Sequence, residues 1–203
     1  MELIVGTDST WSLRAWICLQ LGKVQASEQV IDLNCANYQS KILKYSPTGL
    51  VPALIDGTIV IHDSLAITEY INEYSNGGLY PENVKERSLA RSLCSEMHSG
   101  FMNLRSQLPF TLKQRSKEIE LSKNIEDELA RVEEIFKEAK MPYMFESAGA
   151  VDAFYAILAF RLKSYGIRFQ GKAGEYQQSL LNWKLLNEAI GQAMQWGNVS
   201  KTD

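Results

Sequence analysis

The sequence contains little of the chemistry used by metal-binding, disulfide-bonded or nucleic-acid-binding proteins. Its three cysteines, Cys18, Cys35 and Cys94, are an odd number and have neither metal-ligand nor redox spacing. The formal net charge is −3, which argues against nucleic acid as a partner because proteins that bind it usually carry a basic surface. We therefore expect three reduced thiols, no metal site and no nucleic-acid partner.

Long hydrophobic runs and export signals are also missing. No apolar stretch approaches the roughly 20 residues that a membrane-spanning helix needs. The first ten residues have neither a basic region nor a long apolar core, so we expect no secretory leader. With 203 residues, 45% of them hydrophobic and 22% charged, the chain has the composition of a soluble globular protein with one large or two small domains. These features predict a cytoplasmic protein with no membrane partner.

The most informative segment spans residues 46–72. Two short runs rich in β-branched residues, Val51–Ile55 and Thr58–Ile61, flank Asp56–Gly57, and Asp-Gly between such runs is a strong hairpin signal. Asp63 and Ser64 then supply a helix N-cap. Apolar residues follow at the three- and four-residue steps of an amphipathic helix, namely Ile67, Tyr70, Ile71 and Tyr74.

The remaining pattern divides the chain into an α/β part and a helical part. A short apolar strand at Glu2–Gly6, a helix from Trp11 to Leu21 and a weak strand within 25–33 precede the hairpin, which gives the order βαβ(α)ββα. Asn, Gly and Pro in residues 74–82 indicate a linker, and apolar stripes beyond it indicate only helices. We predict an α/β domain over 1–76, a linker over 77–83 and an all-helical domain over 84–203.

Several segments resemble the cytosolic glutathione transferases. Pro47–Pro52 (PTGLVP), the hairpin and Asp63–Ile67 (DSLAI) resemble that family's Pro-x-Gly-x-Val-Pro, hairpin and Glu-Ser-x-Ala-Ile. Ser9–Trp16 (STWSLRAW) resembles the SSWSLRPW motif of one bacterial group, and Glu96–Arg105 and Asp152–Gly166 resemble two of its helical segments. The resemblance implies a thioredoxin-like N-terminal domain followed by an all-helical C-terminal domain. It also implies a homodimer that uses glutathione as co-substrate and attacks a small electrophile.

The resemblance assigns residues to a glutathione site. It implies a cis bond before Pro52, which leaves the backbone N–H and C=O of Val51 free to pair with the cysteinyl unit of the tripeptide. Asp63 and Ser64 would bind the γ-glutamyl head through a carboxylate, a hydroxyl and helix N-terminal N–H groups. Asp63 is one methylene shorter than the family's usual Glu or Gln, and helix capping is the simpler role for both residues.

Leu50 departs from the family pattern. Many members have Lys, Arg or Gln at this place, near the glycyl carboxylate of glutathione. Leu50 belongs to the same implied site, and Lys41 or Lys44 are alternative partners for the carboxylate. Both lysines also have the ordinary alternative of a solvated surface position.

Ser9 and Ser12 stand where a thioredoxin-like fold would carry its redox cysteines, so we expect no dithiol chemistry there. A hydroxyl beside the positive end of a helix is suited to hold an anion. The resemblance nominates Ser9 as the group that activates the thiol and Ser12 as the second choice, with Thr10 and Trp11 supplying backbone or wall contacts. The alternative is that Ser9 or Thr10 only caps the first helix.

Four residues of the helical part are implied to line the electrophile site. His98, Phe101 and Arg105 share one face if they lie on a single helix. Together with Arg161 they would form a polar and aromatic wall that favours an anionic or carbonyl-bearing electrophile. The alternative is that His98 is a hydrogen-bonded structural residue and that the arginines pair with acids.

Three functions remain open at this point. The first is a glutathione transferase or a related glutathione-dependent peroxidase or isomerase. The second is a non-catalytic protein of the same fold that binds a ligand or another protein. A thiol-disulfide oxidoreductase is disfavoured because Ser9 is not cysteine and Cys18 lies too far along the helix.

For Asp152 we expect a folding role at the start of its helix. Half of the usual capping box is missing there, because Gly149 stands three residues before Asp152 where the family has Ser or Thr.

Overall fold

The computed structural model describes residues 1–113 and 120–199, which fall into two compact units. The first unit comprises Met1–Leu79 together with the C-terminal stretch that begins at Glu188, and the second runs from Tyr80 to Asn187. The elements of the first unit up to residue 79 are β1 (Glu2–Gly6), α1 (Thr10–Leu21), β2 (Ser27–Ile31), α2 (Tyr38–Ile42), β3 (Ala53–Asp56), β4 (Ile59–Ile61) and α3 (Ser64–Tyr74).

The four strands form one mixed sheet in the order β2-β1-β3-β4. β1 and β2 are parallel, whereas β3 runs antiparallel to both β1 and β4. Ile4 lies opposite Ala53, and Leu54 lies opposite Ile61. The C-terminal ends of β1 and β4 therefore meet the N-terminal end of β3 at one edge of the sheet. Because α1 follows β1 and α3 follows β4, both helices begin at this edge.

The hairpin predicted around Asp56–Gly57 is confirmed. Asp56 pairs with Ile59, and Gly57 adopts a φ of +57°, the left-handed conformation that glycine takes without a steric penalty. The first strand begins at Ala53 rather than at Val51, because Pro52 has no N–H to give to the sheet. The predicted helix follows and begins at Ser64, and its N-cap is Asp63 rather than Ser64, because the Asp63 side chain accepts from the N–H groups of Leu65 and Ala66.

Only helices occur in the described part of the second unit, which confirms the predicted fold class. They are α4 (Val84–Ser99), α5 (Met102–Gln107), α6 (Lys123–Lys137), α7 (Ala150–Ser164) and α8 (Gly171–Asn182), while α9 (Lys184–Val199) begins in the second unit and continues into the first. α7 is buried on nearly all sides and forms the centre of this unit. Over the ranges 1–113 and 120–199, no helix is long and apolar enough to cross a membrane.

Asp152 anchors the start of α7 inside the second unit. Its Oδ1 accepts hydrogen bonds from the Met144 N–H at 2.9 Å and the Tyr176 hydroxyl at 2.7 Å, and its Oδ2 accepts from the Gly149 N–H at 2.9 Å. Burial raises the pKa of the Asp152 carboxyl, and these hydrogen bonds oppose the rise. Gly149 has no side chain to complete a reciprocal cap, so half of the capping box is missing, as expected.

Cys18 is a core residue, which agrees with its assignment away from redox chemistry. It is fully buried in α1 and accepts a 3.4 Å hydrogen bond from the hydroxyl of Thr68 in α3. Burial raises the pKa of the Cys18 thiol to about 12. The thiol is therefore protonated and unreactive at neutral pH.

Glu28 on β2 joins three parts of the first unit. Its Oε1 accepts a hydrogen bond from the indole of Trp16 in α1 at 2.7 Å. Its Oε2 accepts from Gln192 at 2.9 Å and from the indole of Trp196 at 2.7 Å, both in α9.

The predicted division of the chain into two domains with a linker at residues 77–83 stays a prediction. It did not anticipate that the stretch from Glu188 groups with the first unit.

We predict that Glu28→Ala lowers the free energy of unfolding by about 1–3 kcal/mol, because two indole N–H groups and one amide lose a charged acceptor. Glu28→Gln should lower the free energy of unfolding by less, since its amide oxygen can still accept from one indole. Urea titration followed by tryptophan fluorescence measures the change. Glu73→Ala, at an exposed carboxylate on α3, is the matched control. A Glu28→Ala protein as stable as this control would show that the contact contributes nothing.

Candidate active site

Ser9 is the N-cap of α1. Its backbone is extended (φ −85°, ψ 107°), and its Oγ accepts a 3.2 Å hydrogen bond from the N–H of Ser12. Its residue surface is 8% exposed. Because the cap uses Oγ only as an acceptor, the hydroxyl proton of Ser9 remains available for a hydrogen bond to another group.

Ser12 has a different environment. It is completely buried, and its Oγ accepts a 3.2 Å hydrogen bond from the N–H of Gly6 at the end of β1. This bond ties the first turn of α1 to the sheet. Of the two serines, only Ser9 has any surface through which it can meet a ligand.

Trp11 covers a buried arginine. The Cζ of Arg14 lies 4.2 Å from the centre of the Trp11 ring, and Arg14 is 1% exposed. Thr10 is buried and Trp11 is partly exposed. Sequence reasoning missed Arg14, although its position three residues after Trp11 on a helix was a signal that the two side chains meet.

Val51 presents free backbone groups at the edge where α1 and α3 begin. The Val51–Pro52 peptide is cis, as the resemblance implied. Across the described residues, neither the N–H nor the C=O of Val51 has a hydrogen-bond partner. Val51 lies beside Gly6, since a Cβ built on Gly6 would come within 2.9 Å of Val51 Cγ2. The preceding Leu50 is 69% exposed.

Asp63 and Ser64 form the start of α3. Asp63 caps the helix through Oδ1, which accepts from the N–H groups of Leu65 at 2.9 Å and Ala66 at 3.4 Å. Ser64 is fully buried, and its Oγ has no hydrogen-bond partner within the described chain. A buried hydroxyl without a partner costs on the order of 1–3 kcal/mol, so such a group at a helix N-terminus is a candidate for ligand contact.

The predicted single helix face for His98, Phe101 and Arg105 is wrong. α4 ends at Ser99, α5 begins at Met102, and Phe101 lies between them with a left-handed φ of +55°. Gly100 permits the break, because a Cβ there would lie 2.7 Å from the Glu96 carbonyl oxygen. Arg105 still contacts the backbone of the other two: its Nη1 donates to the His98 carbonyl oxygen at 3.4 Å, and its N–H donates to the Phe101 carbonyl oxygen at 3.0 Å.

Arg161 lies near this cluster within the second unit. It is 5% exposed, and its Nη1 donates to the Leu108 carbonyl at 3.3 Å. Burial, reinforced by the positive charge of Arg105, lowers the pKa of Arg161 to about 10. Burial also lowers the pKa of Arg105, and Glu128 opposes this shift. The two arginines are therefore neighbouring cations in a poorly hydrated region.

No metal centre is evident in the part of the chain that the structure describes. There, no group of three or more His, Cys, Asp and Glu side chains is placed to hold a metal ion. The candidate chemistry at the sheet edge consists of hydroxyls, backbone amides and helix N-termini.

Comparisons with known proteins identify the N-terminal part of the chain. Residues 8–73 match the family model for the glutathione S-transferase N-terminal domain. The stringent starvation protein A homologue of Haemophilus influenzae is 26% identical over 95% of this chain and 91% of its own length. Glutathione S-transferase 1 of Dianthus caryophyllus is 34% identical over 44% of this chain and 41% of its own length.

Solved structures show the same fold over nearly the whole chain. A glutathione transferase homologue from Burkholderia, solved with bound glutathione, has a TM-score of 0.73 at 20% identity and covers 96% of this chain and 97% of its own. Poplar glutathione transferase F1 has a TM-score of 0.74 at 18% identity, covering 96% and 98%. The chain has the glutathione S-transferase fold, with a thioredoxin-like N-terminal unit and a helical second part.

Proposed function

We propose that this protein is a glutathione transferase, which binds glutathione as co-substrate and activates its thiol for attack on a small electrophile. The free backbone of Val51 carries the proposal. An extended peptide pairs with such a strand end through main-chain hydrogen bonds. The cysteinyl unit of glutathione supplies the matching N–H and C=O groups.

The start of α3 is the proposed site for the γ-glutamyl head. Its carboxylate would meet the positive end of the helix and the buried hydroxyl of Ser64, which has no partner in the described structure. Asp63 supplies the negative charge for the ammonium group. The assignment uses Ser64 and Asp63 for binding and keeps their role in starting the helix.

Ser9 is the proposed thiol-activating group. A free thiol has a pKa of about 8.5, and lowering it by about two units requires roughly 2.7 kcal/mol. A hydrogen bond to a charged group contributes about 1.5–3 kcal/mol and a helix N-terminus about 0.3–1 kcal/mol. The hydroxyl of Ser9 and the start of α1 together are sufficient to ionise a bound thiol. The thiol proton passes to solvent and the thiolate sulfur then bonds to the electrophilic carbon. In a substitution the leaving group departs with the electron pair of its broken bond, and in an addition the π electrons move onto the carbonyl oxygen.

The cluster of His98, Phe101, Arg105 and Arg161 is the proposed electrophile-facing group. With a pKa of about 10, Arg161 still carries its charge at neutral pH. Arg161 donates to the carbonyl oxygen of Leu108, and a carboxylate or carbonyl oxygen on the electrophile would stabilise its charge further. This favours anionic or carbonyl-bearing electrophiles, and addition or isomerisation of such compounds uses the same thiolate.

Binding and turnover must be measured separately, because a non-catalytic protein of this fold is the second candidate. The similarity to the stringent starvation protein A homologue over nearly the whole chain favours keeping that candidate. We expect calorimetry to show millimolar or tighter binding of glutathione, and spectrophotometry to show its conjugation to a chloronitroaromatic compound. S-methylglutathione, which keeps the peptide and lacks the ionisable proton, is the control ligand. Binding of both ligands without turnover of neutral or carboxylate-bearing electrophiles would support the non-catalytic protein.

We predict that Ser9→Ala lowers kcat/KM by about 10- to 1000-fold, as for loss of a donor that stabilises an anion. The variant should also raise the pKa of the bound thiol toward its free value, which thiolate ultraviolet absorbance reports as a function of pH. Ser12→Ala is the matched variant one turn away. It should lower stability through the loss of its bond to Gly6 and leave the bound thiol's pKa lowered. The reverse result would assign activation to Ser12.

We further propose that the protein is a cytoplasmic homodimer. In the first unit, Ile59, Val60 and Tyr74 are exposed apolar residues, and β4 is an edge strand. In the second unit, Val84 and Leu89 on α4 are exposed as well. Exposed apolar surface of this kind commonly marks an association surface. Sedimentation equilibrium should give twice the chain mass of 22.9 kDa, and a monomer at micromolar concentration would contradict the dimer.

A further inference from the structure

We infer that the thiol site accepts glutathione-type thiols with an uncharged C-terminal end, such as glycyl esters or amides, about as well as glutathione itself, and that Leu50 sets this tolerance. The inference rests on the proposed function, because it concerns the C-terminal glycyl end of the same bound tripeptide. Its basis is the chemical character of the segment that leads into Val51.

The sheet topology indicates where the glycyl end of the tripeptide lies. Val51 precedes β3 and lies beside Gly6 at the end of β1, and β4, which leads into Ser64, pairs with the other side of β3. The γ-glutamyl head is directed to Ser64, and the sulfur is directed to Ser9, which follows β1. The remaining end of the peptide therefore faces residues 48–50, which precede Val51.

The side chains that contact Thr48 and lie nearest to Gly49 are uncharged. Leu50 is 69% exposed, and the Thr48 hydroxyl is engaged by Ser46 at 2.9 Å and by the Leu50 N–H at 3.3 Å. From α2 and its C-cap, Leu43 and Gln39 face this segment, since a Cβ on Gly49 would lie 3.5 Å and 3.6 Å from their carbons.

Of the two lysines nearby in sequence, Lys41 lies on another face of this short helix and Lys44 lies beyond its C-cap. Lys41 is two residues from both Gln39 and Leu43, which corresponds to about 200° around a helix. Lys44 follows Leu43 and is exposed. The contacts therefore place leucine, glutamine and threonine, rather than a cation, near the C-terminal end of the peptide.

The consequence for specificity follows from what a cation would add. An exposed ion pair contributes only about two- to fivefold in affinity, and without one a terminal carboxylate remains hydrated and gains nothing. An ester group loses no ion pair at this site, and its apolar part can contact the exposed Leu50. The site should therefore discriminate little between charged and neutral ends.

The test compares kcat/KM for glutathione and for its glycyl ethyl ester with one electrophile. For the natural sequence we expect the two values to agree within about twofold. Leu50→Lys should favour glutathione over the ester by about two- to fivefold. Leu50→Gln separates polarity from charge and should keep the original ratio. Gln25→Lys is the matched charge control, because it lies before β2 at the opposite edge of the sheet.

A preference of the natural sequence for glutathione of more than about twofold would show that a cation serves the C-terminal end and would overturn the inference. A Leu50→Lys ratio identical to that of Gln25→Lys would also overturn it. If both thiols react but the ratio of their kcat/KM values differs from the expected one, only this inference is rejected and the proposed function still holds. Failure of either thiol to bind or react would instead reject the proposed function, and this inference with it.

Discussion

The position of β3 between β1 and β4, antiparallel to both, is the constraint on which the candidate site depends. It brings the C-terminal ends of two strands to one edge of the sheet, so that α1 and α3 both begin there. Each helix start carries a partial positive charge and free N–H groups. Glutathione as a thiolate has an anionic sulfur and, on its γ-glutamyl head, a carboxylate beside an ammonium group, with an amide unit between the sulfur and the head. The sheet edge offers groups in the same order: the start of α1 for the sulfur, the free backbone of Val51 for the amide unit, and the start of α3 for the γ-glutamyl head.

The two serines of α1 show how burial separates residues that look equivalent in the sequence. Ser9 and Ser12 lie three residues apart in the chain, and both are candidates for thiol activation. Ser12 is enclosed and bonded to Gly6, so it fixes the angle at which the helix leaves the sheet. Ser9 accepts its cap bond from Ser12 and keeps a proton to donate. The fully enclosed Ser12 therefore helps to position Ser9, which keeps 8% of its surface exposed, and a rigid donor needs little reorganisation when charge develops on a ligand.

Local signals in the sequence predicted the parts of the structure that short segments determine. Asp56–Gly57 predicted the hairpin because few other residues adopt its turn, and Ser64 predicted the start of α3 because its neighbours need a cap. The contacts of Glu28 could not be predicted, because Trp196 lies 168 positions away and no local pattern joins them. Apolar spacing continued across Gly100 and concealed the break between α4 and α5. The choice between Ser9 and Ser12 needed burial, which spacing alone does not give.

The same platform would serve a binder and an enzyme, so the peptide-binding residues alone do not separate the two functions. The proposed contacts of Val51, Asp63 and Ser64 with the tripeptide do not depend on whether its thiol ionises. The difference is confined to the sulfur end, where a binder needs only space and an enzyme needs a donor with fixed direction. In Ser9 the hydroxyl oxygen accepts the helix-cap hydrogen bond, and its proton remains available for donation. This arrangement supplies the one group that catalysis requires and that binding does not, which is why we favour the enzyme.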